Sequence, residues 1–221
     1  MSRILLTPLI ILSLSFSARA QFNKGSILLG GQLSYSYNTY NSTNPNIVQT
    51  SDQKTNMATF NISVGKAIKE NTVFGIILTY SPYAVNNYYS ASLGPLKYSD
   101  NYYAFGIFYR KYKSLGKDFF IFGEGSAYYE GSTISGKDSL GQKVLSGSTK
   151  GGVLIVYPGI SYKVSKKFFL EISIPDLFFV QYSSSNVSSQ PQSSKNEQFN
   201  ISSSLSSNPL TNLAIGFRLD L

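Results

Sequence analysis

The sequence predicts an all-β protein, an eight-stranded antiparallel up-and-down transmembrane β-barrel. Three observations carry that expectation. Beyond residue 20 no stretch approaches the roughly 18 consecutive apolar residues a membrane helix requires. The chain falls instead into eight runs in which apolar residues alternate with small or polar ones at a period of two. Short and long links then join those runs in strict alternation. Composition points the same way: charged residues make up 14% of the 221, against about 25% in ordinary soluble domains. The 17 Tyr and 15 Phe supply all the aromatics. With no Cys and no His, thiol nucleophiles, disulfides, imidazole or thiolate metal sites and a Ser-His-Asp triad are all excluded.

Residues 1–20 read as a secretory signal peptide. Arg3 supplies a positive start, Ile4 to Phe16 an apolar stretch too short to span a bilayer, and Ala18-Arg19-Ala20 a small-x-small cleavage pattern. The mature chain is expected to begin at Gln21, with 17 basic residues against 11 acidic and a charge of +6. Such a balance on a secreted chain with scattered charges points to anionic lipid headgroups, and not to nucleic acid.

The first run, Ile27 to Tyr37, sets Ile27, Leu29, Leu33, Tyr35 and Tyr37 against Leu28, Gly30, Gln32, Ser34 and Ser36. The second sets Ala58, Phe60, Ile62 and Val64 against Thr59, Asn61, Ser63 and Gly65. Phe74, Ile76, Leu78 and Tyr80 mark the apolar face of the third, and Tyr103, Phe105, Ile107 and Tyr109 that of the fourth. The fifth, Phe119 to Tyr129, carries Glu124 and Ser126 on its polar side. The sixth, Val153 to Tyr162, is apolar on both faces in its first half, and Pro158 lacks a ladder donor. The seventh, Phe168 to Ile174, opposes Leu170 and Ile172 to Phe169 and Glu171; the eighth opposes Leu213, Ile215, Phe217, Leu219 and Leu221 to Ala214, Gly216, Arg218 and Asp220.

Short Lys-rich links, near 66–72, 111–118 and 163–167, alternate with long polar ones at 38–56, 81–101, 130–151 and 183–210. The long links are expected to be four extracellular loops on a barrel domain covering 21–221, and the Ser-rich 183–207 to be a solvated, mobile one. A run of ~11 residues at ~3.3 Å each, tilted by ~45°, climbs about 25 Å, the height of an outer-membrane apolar band. A soluble lipocalin-like barrel shares this period with its faces reversed. Three features favour the membrane form. The polar face is mostly Gly, Ser, Ala, Thr and Asn, Tyr closes several apolar stripes, and the last run is amphipathic to its final residue.

Phe105-Gly-Ile-Phe-Tyr-Arg110-Lys-Tyr, Phe119-Phe-Ile-Phe-Gly-Glu124-Gly, Tyr157-Pro-Gly-Ile-Ser-Tyr162 and the closing Gly216-Phe-Arg-Leu-Asp-Leu221 together give the chain a family likeness. It resembles the small outer-membrane β-barrels of Gram-negative bacteria, of OmpX/OmpA-like architecture, over most of residues 21–221. The resemblance implies an outer-membrane location, outer-membrane lipid and lipopolysaccharide as surroundings, and handling by the barrel-assembly machinery. It also implies a C-terminal assembly signal, with Gly216, Leu219 and Leu221 in its small and apolar positions. The family usually ends in Phe, where this chain ends in Leu221.

Arg110 and Glu124 lie on the polar faces of adjacent runs, and Glu171 and Arg218 on polar faces at a similar height. A barrel of eight strands is narrow enough for side chains to fill, and charges inside it must pair. These four are therefore the candidate lumen ion pairs. No residues suggest catalysis, a metal site or a cofactor. Lys54, Lys97, Lys137, Lys143 and Lys150 fall on the long-link side, within reach of lipopolysaccharide phosphates. The function expected is a non-enzymatic integral outer-membrane protein with a packed lumen and a structural or surface-interaction role. The alternatives are a narrow pore for small solutes or ions, and a soluble secreted ligand-binding barrel.

Overall fold

The computed structural model describes residues 22–44, 49–90, 94–174, 177–189, 192–203 and 213–221; the expected signal peptide, with Ala18 and Ala20, lies outside them. Ten strands follow in order: β1 (Ile27–Asn44), β2 (Gln49–Lys69), β3 (Thr72–Ser90), β4 (Gly94–Ser114), β5 (Phe119–Lys137), β6 (Lys143–Lys163), β7 (Phe168–Ser173), β8 (Phe178–Ser189), β9 (Gln192–Ser203) and β10 (Ala214–Asp220). Every pairing is antiparallel. Hydrogen bonds run from β5 through β4, β3, β2, β1, β10, β7 and β6, and β5 pairs with β6 to close a ring of eight. At the height of β7 and β10 each strand of the ring is hydrogen-bonded on both sides, and paired edges are what allow a sheet to sit in hydrocarbon.

The period of two becomes inside and outside. Along β5, Phe120, Phe122 and Glu124 are buried while Phe119, Ile121 and Tyr129 are exposed. The same split holds for Phe108 against Phe105 and Ile107 on β4, and for Ala214 and Arg218 against Ile215 and Phe217 on β10. The outward face is thus a belt of Leu, Ile, Val and Phe, far larger than the apolar patches a water-soluble monomer carries. Tyr35, Tyr37, Tyr80, Tyr103, Tyr109 and Tyr162 are all exposed at the ends of its stripes, as interface girdles require.

The strands run further than the apolar alternation reaches. Much of 38–56, 81–101 and 130–151, expected as loop, is strand: β1 pairs with β2 up to Asn44↔Gln49, and β5 with β6 up to Lys137↔Lys143. The expectation of a loop over 183–207 is corrected as well for 183–189 and 192–203, where β8 and β9 pair as a hairpin; residues 204–207 lie outside the described residues. The reason lies in β6, which is 21 residues long. Its lower residues, Gly159 to Lys163, pair with β7, and its upper edge, Leu145 to Val156, is satisfied by β8. Backbone pairing of this kind needs no apolar face, and hydroxyls support it, as where Thr149 and Ser185 lie 3.0 Å apart across the pair.

Candidate functional site in the barrel lumen

The lumen is built in layers. The lowest is a cork. Phe22, ahead of β1, is fully buried, with its ring 5.0 Å from that of Tyr112 and 4.9 Å from that of Phe169. Asn71, in the β2–β3 turn at φ 55°, holds it: the Phe22 amide donates to Asn71 Oδ1 at 3.3 Å, and the Asn71 amide donates to the Phe22 carbonyl at 3.1 Å.

Above the cork lies a ring of charge. Arg110 and Glu124 are direct cross-strand partners, and Arg110 Nε donates to Glu124 Oε2 at 2.5 Å. Arg110 Nη1 reaches across the barrel to Glu171 Oε2 at 2.6 Å. Arg218, on β10, meets the same Glu171 oxygen at 3.4 Å and donates to Ser63 Oγ at 3.2 Å. Tyr157 and Ser126 donate to Glu124 Oε1 at 2.6 and 2.9 Å, and Tyr112 donates to Glu171 Oε1 at 3.0 Å. The Arg110 guanidinium also stacks over Phe122, 4.1 Å from the ring centre. All four charged side chains are at most 7% exposed. Two arginines balance two glutamates, and each carboxylate accepts several donors, the condition under which buried charge is tolerable. The space left among these groups is about 20 Å³, room for a single water and no more.

Phe108 fills the neighbouring part of this layer. Its ring lies against Gly65 and Gly75, which face each other across β2 and β3; a Cβ on either would stand 2.8 or 2.7 Å from it. The two glycines make a trough in the wall for one aromatic ring, a close approach no larger residue permits.

Higher up the lining turns polar. Asn61 donates to Gln32 and accepts from Thr79, at 2.8 and 2.7 Å, and Gln32 donates to Ser173 at 2.7 Å. Glu130 accepts from Tyr102 and Gln181 at 3.0 and 2.7 Å. Here the barrel holds a cavity of about 590 Å³, whose walls include Gln32, Asn61, Thr79, Asp100, Tyr102 and Tyr128. Asp100 stands above the Tyr103 girdle. Burial raises its carboxyl above the ordinary value, while a hydrogen bond with Ser132 lowers it. With the folded-state value raised, ionisation opposes folding: the penalty is absent below the ordinary carboxylate value of about 3.9 and grows as pH rises through it. Asp100→Asn is expected to raise the melting temperature at pH 8 and to leave it unchanged at pH 3. A gap that widened on acidification would contradict this account.

The structure thus brings Arg110, Glu124, Glu171 and Arg218 into one network. Gly216 lies beside it, pairing with Glu171 on one side and Gln32 on the other, while Leu219 and Leu221 continue β10 along β1 beyond Arg218, with Leu221 exposed. Phe22, Tyr157 and Glu130 belong to the lumen though the sequence assigned them no role there. Among the described residues, no three acidic side chains gather as a metal site would need.

Fold, outward apolar belt and lumen together define a class, the small β-barrel of transmembrane type, here with a lower lumen packed by its own side chains and a cavity above them. No family model matches the sequence, and no curated protein matches it. Solved structures with a similar course include Neisserial surface protein A, at 13% identity and a TM-score of 0.43 over 93% of this chain and 100% of that one. A major outer membrane protein from Thermus thermophilus aligns at 8% identity and a TM-score of 0.48, over 90% and 100%. Ail, the attachment invasion locus protein of Yersinia pestis, aligns at 14% and 0.35, over 89% and 99%. The assignment of architecture stands on the closed ring of strands itself.

Proposed function

We propose that the chain is a non-enzymatic integral outer-membrane protein, anchored by its belt, sealed through its lumen, and active through the surface at its long-loop end. The observation that carries this reading is the charged layer with its aromatic cork. Two arginines, two glutamates, Phe108, Phe122 and Phe22 pack together in the lower lumen, and the space left among them is about 20 Å³. In this reading the short turns face the periplasm, the signal peptide delivers the chain across the inner membrane, and Gly216, Leu219 and Leu221 address it to the assembly machinery. Lysines at the outer end, such as Lys137 and Lys143, then sit near lipopolysaccharide phosphates.

The cavity of about 590 Å³ favours a second reading, a narrow pore, since it carries water-accessible space down to the charged layer. Planar-bilayer recording separates the two. The refolded protein should give no steady conductance steps in roughly 1 M salt, where even a short polar pore conducts. Reproducible open channels would overturn the sealed barrel. The membrane reading is tested by gel migration, since an intact barrel should run differently before and after boiling.

A further inference from the structure

We propose that the short-turn end of the barrel is a binding surface for anionic phospholipid headgroups, its lysines holding the phosphates of the leaflet at that end. This rests on the reading of the belt as membrane-embedded and adds to it the chemistry of one leaflet.

Lysine is concentrated at the short-turn end. Lys24, Lys66, Lys69, Lys111, Lys113, Lys117, Lys163, Lys166 and Lys167 all belong to the short turns or the strand ends beside them. Against these nine stand three carboxylates, Glu70, Asp118 and Asp220, which leaves an excess of six. The lumen quartet is neutral, two arginines against two glutamates. The remaining six lysines of the mature chain are matched by six acids, Asp52, Asp100, Glu130, Asp138, Asp176 and Glu197. An excess of six positive charges therefore stands at the short-turn end, which is not the end expected to meet lipopolysaccharide.

The nine are also available. Eight are exposed, and only Lys163 turns partly inward, 5.9 Å over the ring of Phe169. The ion pairs among the described residues use Arg110, Arg218 and Lys195, and none of the nine.

Placement selects lipid over a soluble partner beneath the barrel. Lys66 on β2 and Lys111 and Lys113 on β4 hold outward positions, continuing the stripes of Val64 and of Tyr109 at the lower edge of the belt, where Lys66 pairs with Phe74 and Lys113 with Ile121. The pairings Lys66↔Phe74, Phe74↔Tyr109, Thr72↔Lys111 and Lys69↔Thr72 put them on one sector of the wall. Their stems can lie on the apolar rim while the ammonium groups reach headgroup height. A row of cations at that height meets lipid phosphates, and a lysine near an anionic bilayer surface is worth roughly fivefold in affinity.

The test uses the full mature barrel, refolded in dodecyl maltoside micelles doped with phosphatidylglycerol or with phosphatidylcholine of the same acyl chains. Native mass spectrometry counts the lipid retained. The native chain should hold phosphatidylglycerol about tenfold over phosphatidylcholine at low salt, and the preference should fall as salt rises. Lys66→Gln, Lys69→Gln, Lys111→Gln and Lys113→Gln combined should bring the ratio near one, while the four Lys→Arg changes should keep it. Lys137→Gln, Lys143→Gln, Lys150→Gln and Lys195→Gln combined should leave it unaltered. Should the first quadruple variant fail to fold by the boiling test, the Lys66→Gln, Lys111→Gln pair reads the same loss in part. Equal retention of both lipids, or equal loss in both quadruple variants, overturns the proposal. So does a first variant that keeps its lipid preference but loses cosedimentation with isolated peptidoglycan, which would assign the surface to a wall polymer. Retention of neither lipid would instead strike at the membrane reading beneath it.

Discussion

Arg110→Ala should lower the stability of the folded barrel by about 3–5 kcal/mol, the range for breaking a buried pair from one side. The guanidinium bridges Glu124 and Glu171. Without it, Tyr157 and Ser126 still donate to Glu124, but neither carries charge. Arg218 remains beside Glu171 at 3.4 Å, and two carboxylates then share one cation. Lys137→Ala, at an exposed strand end, should change stability by no more than about 0.5 kcal/mol. Denaturant midpoints of the refolded variants in lipid compare the two, and equal midpoints would count against a desolvated, packed lumen.

Phe108→Ala should cost about 3–5 kcal/mol, because its ring is fully enclosed and the Gly65–Gly75 trough has no side chains with which to collapse into the space. Phe105, three positions earlier on the same strand and on the other face, is 56% exposed. In a bilayer, acyl chain fills the place of its ring. Phe105→Ala should then lose chiefly the ring contact with Tyr129, 5.5 Å away, which is about 1 kcal/mol. The comparison holds residue type constant and varies only which side of the wall the ring occupies. A larger loss at Phe105 than at Phe108 would mean that inside and outside had been exchanged.

Much of this was legible in the chain. Within the membrane each strand borders two different media, so alternation is imposed on every residue, and Phe105 and Ile107 separated cleanly from Phe108 and Arg110. The lumen quartet could be read for the same reason: four charges on the inner face of a narrow barrel have few places to go. Above the girdles both faces meet water and the constraint disappears. The Ser- and Asn-rich segments 183–189 and 192–203 therefore looked like loop, though the upper edge of β6 pairs with β8 and β8 in turn with β9. Phe22 was missed because a single aromatic before the first run has no period to betray it, and its burial follows from Asn71, 49 residues away. Tyr157 was obscured because its run is apolar on both faces.

The continuation of pairing past the belt bears on how this protein could be used. From Tyr129, at the girdle, β5 continues to Lys137, a further climb of about 19 Å at ~3.3 Å per residue and ~45° of tilt. At its summit Asp138 Oδ1 accepts the amides of Leu140 and Gln142, at 3.0 and 2.8 Å, and Gly141 turns at φ 81°. That apex is closed by its own hydrogen bonds, the Asp138 amide also donating to the Gln142 carbonyl at 3.0 Å. In the proposed orientation, with the long-loop end outward, a foreign peptide spliced between Asp138 and Gln142 should be displayed beyond the girdle, away from the paired strands of the ring.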